Sequence, residues 1–148
     1  MNIMGYTIRE EWIRQGITEE SIQWAKKFGG YLCNKTESDD NNKSGGNNDA
    51  KDKKPLTTSQ LRKFFGELRR IDADFDKKYQ DVLMLRPMLA YAVGRDGRKT
   101  KLEVFSDTLS EGIKFIRLKD EVHRKADFKN FLKLFEAIVA YHKYYEDK

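Results

Sequence analysis

The strongest constraint on the fold is a long apolar stripe near the end of the sequence. Large apolar and ring-bearing residues recur every three or four positions there, at Phe128, Phe131, Leu132, Phe135, Ile138, Val139, His142 and Tyr145. This spacing puts them on about half of a helical wheel, which predicts an amphipathic helix beginning near Asp127. Because such a stripe is stable only when it is covered, the remaining segments must supply helices or sheets that pack on it.

Three upstream segments also have helical spacing. Thr57 and Gln60 predict a capping box before a helix with Leu61, Phe64, Phe65, Leu68 and Ile71 on one face. A second helix is predicted from Ala73 to Leu85, with Phe75, Tyr79, Val82 and Leu83 inward. Pro87 then marks a kink or a new helix, which ends at Gly94 or Gly97. The next helix carries Leu102, Phe105, Leu109, Ile113, Phe115 and Ile116.

No segment alternates apolar and polar residues over a strand-like length, so the predicted fold class is all-α. We expect a compact bundle of about five to six helices, with a long disordered or flexible loop after the N-terminal helices. Residues 1–32 read as a short helical arm, in which Thr18 caps the second helix and Gly29-Gly30 ends or frays it. Residues 56–148 form the main bundle.

The segment between arm and bundle, residues 33–55, has no large apolar residue. Asn, Asp, Lys, Ser and Gly dominate it, so it cannot bury enough surface to offset the entropy of ordering. We interpret it as a flexible polar linker that lets the arm dock on its own bundle or on a neighbour.

Composition excludes several classes of protein. No apolar run approaches the roughly 18 residues that span a bilayer, so no membrane association is expected. Cys33 is the only cysteine, which rules out an internal disulfide and favours a cytoplasmic location.

The sequence contains no recognisable catalytic or cofactor constellation. It has no phosphate-binding glycine loop of the strand-to-helix type and no pair of metal-ligand spacing. His142 falls on the apolar stripe, where a hydrogen-bonded core histidine is expected, and His123 falls on a solvated turn. We therefore expect a protein that is not an enzyme and uses neither metal nor cofactor.

The net charge of +5 lies entirely in residues 56–148, with 20 basic against 15 acidic side chains. Two stretches are locally basic: residues 62–70 carry a net +3, and residues 86–101 carry a net +4. On the first of these, the helical wheel puts Arg62 and Arg69 beside the apolar face and points Lys63 and Arg70 away from it. Such clusters suit phosphate groups. The competing interpretation is a pair of solvated faces.

Three motifs in order resemble one family. The runs LTTSQLRKFFGELRRI, LMLRPMLAYAVGR and DFKNFLKLFEAIVAYHKYY are similar to the small subunit of the type III-A CRISPR effector (Csm) complex, over about residues 56–145. The resemblance implies a non-catalytic helical subunit that stacks along the effector filament and contacts the guide RNA–target RNA duplex without sequence specificity. The implied partners are crRNA and target RNA, the backbone and large subunits, and copies of itself, with a homodimer of the isolated protein left open.

Carried over by position, the polar motif residues are Ser59, Gln60, Arg62, Arg86, Tyr91 and Arg95, of which Tyr91 is expected to be structural. With the charge map, the candidate RNA-binding residues are Arg62, Arg69, Arg86, Arg95, Arg98 and Lys99. The alternative is a purely structural module that self-associates or bridges subunits, with its basic faces against acidic protein surfaces.

Overall fold

The computed structural model describes residues 6–35 and 53–147, and most of these residues lie in helices. The only β-type pairing there is an isolated bridge between Lys54 and Thr100. Seven α-helices follow one another: α1 (Glu10–Arg14), α2 (Glu19–Leu32), α3 (Thr58–Ala73), α4 (Phe75–Lys78), α5 (Val82–Asp96), α6 (Leu102–Lys114) and α7 (Arg124–Glu146). Five of them are at least 13 residues long, which confirms the prediction of an all-α bundle.

Helix α7 is the centre of the bundle. Its predicted stripe is buried, including Phe128, Phe131, Phe135 and Ile138, and α1, α2 and α3 all pack against it. His142 lies within this core, where a ring nitrogen is 2.6 Å from the backbone oxygen of Leu56. The prediction of a hydrogen-bonded core histidine is therefore confirmed, and the hydrogen bond ties the approach to α3 onto α7.

Among the described helices, α2 and α7 make the most extensive contact. The prediction that Gly29-Gly30 ends α2 was wrong, since the helix continues to Leu32. Both glycines are buried because α7 passes directly over them. A Cβ at Gly29 would lie 2.9 Å from the backbone nitrogen of His142 and 3.1 Å from the oxygen of Ile138. The glycines are thus an interface feature, and the gain in packing offsets their low helix propensity.

Helix α3 runs antiparallel to α7. Phe65 at its middle stacks on Phe135, with ring centroids 5.8 Å apart. Near its end, Asp72 is 2.7 Å from the ammonium of Lys129. As the residue number rises along α3, the number of its partner on α7 falls. The predicted capping box of Thr57 and Gln60 is present at the start of α3.

The segment after α3 departs from prediction. Instead of one helix from Ala73 to Leu85, a single turn (α4) leads through a 3-10 turn at Tyr79–Asp81 into α5. Pro87 lies inside α5 and neither ends it nor begins a new helix. The prediction that Leu83 faces inward was also wrong, because 59% of that residue is exposed. Gly97 ends α5 in the left-handed conformation, as predicted.

The N-terminal helices dock on the bundle of their own chain. Trp12, Ala25, Phe28 and Leu32 belong to the same core cluster as the residues of α3, α5, α6 and α7. Most of the predicted linker, residues 36–52, lies outside the described residues. Its described ends make defined contacts: Cys33 is buried, and the amide of Leu56, just past the linker, donates to the oxygen of Leu32 at 2.8 Å.

The close approach of α2 to α7 gives a matched pair of substitutions. Gly29→Ala should lower the free energy of unfolding by about 1–3 kcal/mol, because the new methyl group would meet backbone atoms of α7 that cannot move independently. Gly66→Ala, in the exposed interior of α3 where a Cβ meets nothing within 4 Å, should raise it by about 0.5–1 kcal/mol. Chemical denaturation of the two variants checks both signs. Equal stability of Gly29→Ala and the unaltered chain would contradict the packing argument.

Candidate functional site

A groove of about 640 Å³ lies between α3 and α5, closed at one end by the start of α6. We call it the α3–α5 groove. Its floor is apolar, and its rim carries polar and charged side chains. The lining residues that matter below are Gln60 and Lys63 of α3, the helix α5 stripe of Met84, Met88, Tyr91 and Arg95, and Leu102 of α6.

Two rim cations of the groove have no acidic partner. Lys63 and Arg95 are exposed, and neither forms a hydrogen bond or ion pair within residues 6–35 and 53–147. Lys63 points away from the apolar face of α3, as the helical wheel predicted, and it lies on the side of α3 that lines the groove. The groove therefore brings together one cation from each of the two basic stretches.

The connection between α5 and α6, residues 97–101, adjoins the groove, and we call it the basic loop. Gly97 and Arg98 both adopt left-handed conformations, with φ of 64° and 58°. Asp96 organises this turn, since one of its carboxylate oxygens accepts from both the amide and the hydroxyl of Thr100, each at 2.9 Å. For a residue other than glycine, here Arg98, the left-handed conformation costs about 1 kcal/mol, which the surrounding contacts must offset. Asp96, the acidic residue of the basic stretch 86–101, therefore has a structural role.

The segment before α3 reinforces the basic loop. The amide of Lys54 donates to the oxygen of Lys99 at 3.0 Å, and the oxygen of Lys54 accepts from the amide of Lys101 at 2.9 Å. The ammonium of Lys53 donates to the oxygen of Arg98 at 2.6 Å. Lys53 and Lys54 thus add two cations that sequence analysis assigned to the linker. No local pattern marks them, because the pairing joins segments 45 residues apart.

Lys101 looks like part of the basic loop in the sequence, but it is buried. Its ammonium donates to the backbone oxygen of Tyr31 at 2.8 Å and lies 3.8 Å from the centroid of the Tyr31 ring. Burial raises the pKa of Tyr31 to about 12, so that ring stays neutral beside the cation. A cation at the last turn of α2 suits the helix dipole. Lys101 therefore holds α2 and is not available to a ligand.

The six candidate residues are all exposed, but they lie on different faces. Arg95, Arg98 and Lys99 share the groove end of α5, although Arg98 pairs with the exposed Glu103 at 3.2 Å. Arg86 is nine residues before Arg95 on one helix, which is about half a turn out of phase. It lies on the opposite side of α5, and the groove does not include it.

The α3 candidates face α7 instead. The guanidinium of Arg69 lies 5.5 Å from the ring centroid of Phe65, the residue that stacks on Phe135 of α7. Arg62 is one heptad earlier, so it falls on the same side of α3. Arg70 forms ion pairs with Glu67 and Asp81. The two carboxylates raise the pKa of Arg70, and its charge is used in these two ion pairs.

The exposed apolar side chains of the groove were not predicted from the sequence. Tyr91 was expected to be structural, yet it is 67% exposed, and Met84 is 56% exposed. The signal was present, since residues 84, 88, 91 and 95 recur at helical spacing and form a second stripe on α5 beside the buried one. A helix with two apolar stripes has more apolar surface than one core can cover.

The described residues offer few groups suited to metal binding or nucleophilic catalysis. They contain no group of three or more His, Cys, Asp or Glu side chains that could hold a metal ion. Burial raises the pKa of the Cys33 thiol, so the reactive thiolate is disfavoured. Within the same residues, no helix is long and apolar enough to span a membrane.

Comparison with known proteins decides the family. A model of the family described as Csm2 Type III-A matches residues 36–148, which is more than half of the chain. The chain belongs to the Csm2 Type III-A family. It is thus a small subunit of the type III-A Csm complex, as the three motifs indicated. Searches of the curated proteins and of the solved structures return no match.

Membership of the Csm2 family places the chain among the other subunits of an effector complex. The family is one of structural subunits of that complex.

Two neighbouring lysines with different surroundings test this assignment of roles. Lys101→Gln should lower the free energy of unfolding by about 1–3 kcal/mol, because it removes a charged donor from the last turn of α2. Lys99→Gln should change it by less than about 0.5 kcal/mol, since Lys99 is exposed and its side chain has no partner among the described residues. Thermal unfolding of both variants makes the comparison. Equal losses would refute the structural role of Lys101.

Proposed function

We propose that this Csm2 protein is a non-catalytic subunit that binds the RNA backbone within the Csm complex, without reading sequence. The observation that carries the proposal is the cluster of exposed cations at the groove end of α5. Arg95 and Lys99 lack acidic partners among the described residues, and Lys63 and Lys54 lie on adjoining segments. In the complex, the RNA would be crRNA paired with its target.

The basic loop suits a phosphate group for two physical reasons. Gly97 has no side chain to keep a backbone at a distance, and its conformation exposes the turn. An arginine guanidinium can donate two parallel hydrogen bonds to one phosphate, which a lysine cannot do. Arg95 and Arg98 flank this glycine, so a phosphate approaching the turn meets donors on both sides.

Binding of this kind discriminates weakly between sequences. Phosphate contacts fix the position of a strand but carry no base information. Affinity should therefore fall steeply with salt, because each neutralised phosphate releases counterions. Stacking along the filament is the second part of the proposal, and membership of a family of small subunits supports it.

Paired charge removals test the proposal. Arg95→Gln and Lys99→Gln should each weaken RNA binding and flatten the dependence of log K on log salt by about 0.7–0.9 units, since each loses one phosphate contact. Lys119→Gln removes the same charge beyond the far end of α6, about 20 Å from the basic loop, and should leave the slope unchanged. Filter binding at several salt concentrations, with the full chain and with the assembled complex, measures all three.

Two results would reject this function. The first is equal binding by Arg95→Gln and the unaltered chain in the assembled complex. The second is the same loss of slope for Lys119→Gln as for Lys99→Gln, which would mean that net charge alone matters.

The second candidate function is a structural module that bridges subunits. The far side of α5 favours it, because Leu83 is 59% exposed and Arg86 lies one turn along the same side. An apolar residue beside an arginine is typical of protein interfaces. If this side mediates assembly, Leu83→Glu should reduce incorporation into the complex, or self-association in sedimentation, while leaving RNA affinity unchanged. Normal assembly of Leu83→Glu would count against it.

A further inference from the structure

We propose that the α3–α5 groove holds one nucleobase of the bound RNA that is neither paired nor stacked in the duplex, with the ring of Tyr91 as the stacking surface. The inference rests on the proposed RNA-binding function and adds a base subsite to it.

The groove has the dimensions and lining of a small-molecule site. Its volume of about 640 Å³ falls inside the range of roughly 300–1,000 Å³ that ligand pockets occupy. Met84, Pro87 and Met88 form an apolar wall with Tyr91, which is the most exposed aromatic ring described. Flat nucleobases stack on exposed aromatic rings whatever the sequence, because every base has a π-face.

The rim selects an anionic partner for this apolar site. Lys63 and Arg95 stand on opposite walls, and neither is neutralised within the described residues. The one acidic residue of the lining, Asp96, already accepts hydrogen bonds from Thr100 and Gln60. These donors are neutral and leave the charge of Asp96 in place, but two cations against one carboxylate still give the lining a net positive charge. A ligand that matches both the floor and the rim combines a flat ring with a negative group, which describes a nucleotide.

The polar groups of the groove predict binding that does not distinguish one base from another. Gln60 is the only amide side chain in the lining, and its carbonyl oxygen already accepts from the Thr57 amide in the capping box at 2.9 Å. Its nitrogen points to Asp96, at 3.4 Å. Gln60 keeps one free N–H, which cannot by itself distinguish the four bases, so stacking should supply most of the binding. This agrees with recognition that does not depend on sequence.

Methionine methyl groups give a direct readout. The chain has four methionines, and two of them, Met84 and Met88, line the groove. With ¹³C-methyl-methionine labelling of the full chain, we expect an oligouridylate and an oligoadenylate of equal length to shift the Met84 and Met88 signals. An abasic oligonucleotide with the same number of phosphates should leave them nearly unmoved. Assignment uses Met84→Leu and Met88→Leu.

A pair of tyrosine variants measures the contribution of the base. Tyr91→Ala should weaken binding of the oligouridylate about tenfold and leave the salt slope unchanged, because stacking releases no counterions. Tyr91→Phe should restore most of the affinity. Tyr144→Ala removes another exposed tyrosine, half-exposed on α7, and should change neither quantity. Binding of the abasic strand should be the same for Tyr91→Ala and the unaltered chain.

The outcomes separate this inference from the function on which it rests. Salt-dependent RNA binding with unmoved Met84 and Met88 signals would overturn the base subsite and leave the RNA-binding function standing. Failure of every RNA to bind, with the isolated chain and with the complex, would overturn both. Methyl shifts produced by an acidic peptide with a leucine side chain, and not by RNA, would assign the groove to a protein partner instead.

Discussion

The bundle depends on which groups donate hydrogen bonds to the last carbonyl oxygens of α2. The last carbonyl groups of a helix have no partners within it, and buried ones must find donors elsewhere. Here the oxygen of Tyr31 accepts from the ammonium of Lys101, and the oxygen of Leu32 accepts from the amide of Leu56. One donor begins α6 and the other precedes α3, so the end of α2 fixes the starting points of both helices.

This constraint also positions the candidate site. The α3–α5 groove is bounded by the first turns of α3, the end of α5 and Leu102 at the start of α6. The bridge between Lys54 and Thr100 joins the same segments a second time. Hydrogen bonds at the ends of the helices therefore fix this end of the groove, and Gln60 of α3 adds one to Asp96 of α5 at 3.4 Å. A site built in this way is present before any ligand arrives, which avoids the entropy of ordering it on binding.

Periodicity predicted what depends on one helix at a time. The stripe of α7, the caps at Thr18 and Thr57 and the burial of His142 all follow from spacing along the chain. What could not be predicted depends on which helix lies next to which. Gly29 looks like a helix stop until α7 is placed on it, and Lys101 looks like Lys99 until α2 is placed beside it. A count of charges along the sequence treats cations as equivalent even where the fold places them in different surroundings.

The division of the arginines among faces limits how RNA can be held. Under the proposed function, a strand in the α3–α5 groove meets Lys63, Arg95 and the basic loop. It cannot also reach Arg86, because that residue is on the other side of a helix about 10 Å across. Arg62 and Arg69 face α7, again away from the groove. A single strand on a single path therefore uses about half of the exposed candidates. In a subunit of a larger assembly, the rest are free for a second strand or for acidic surfaces of neighbouring subunits.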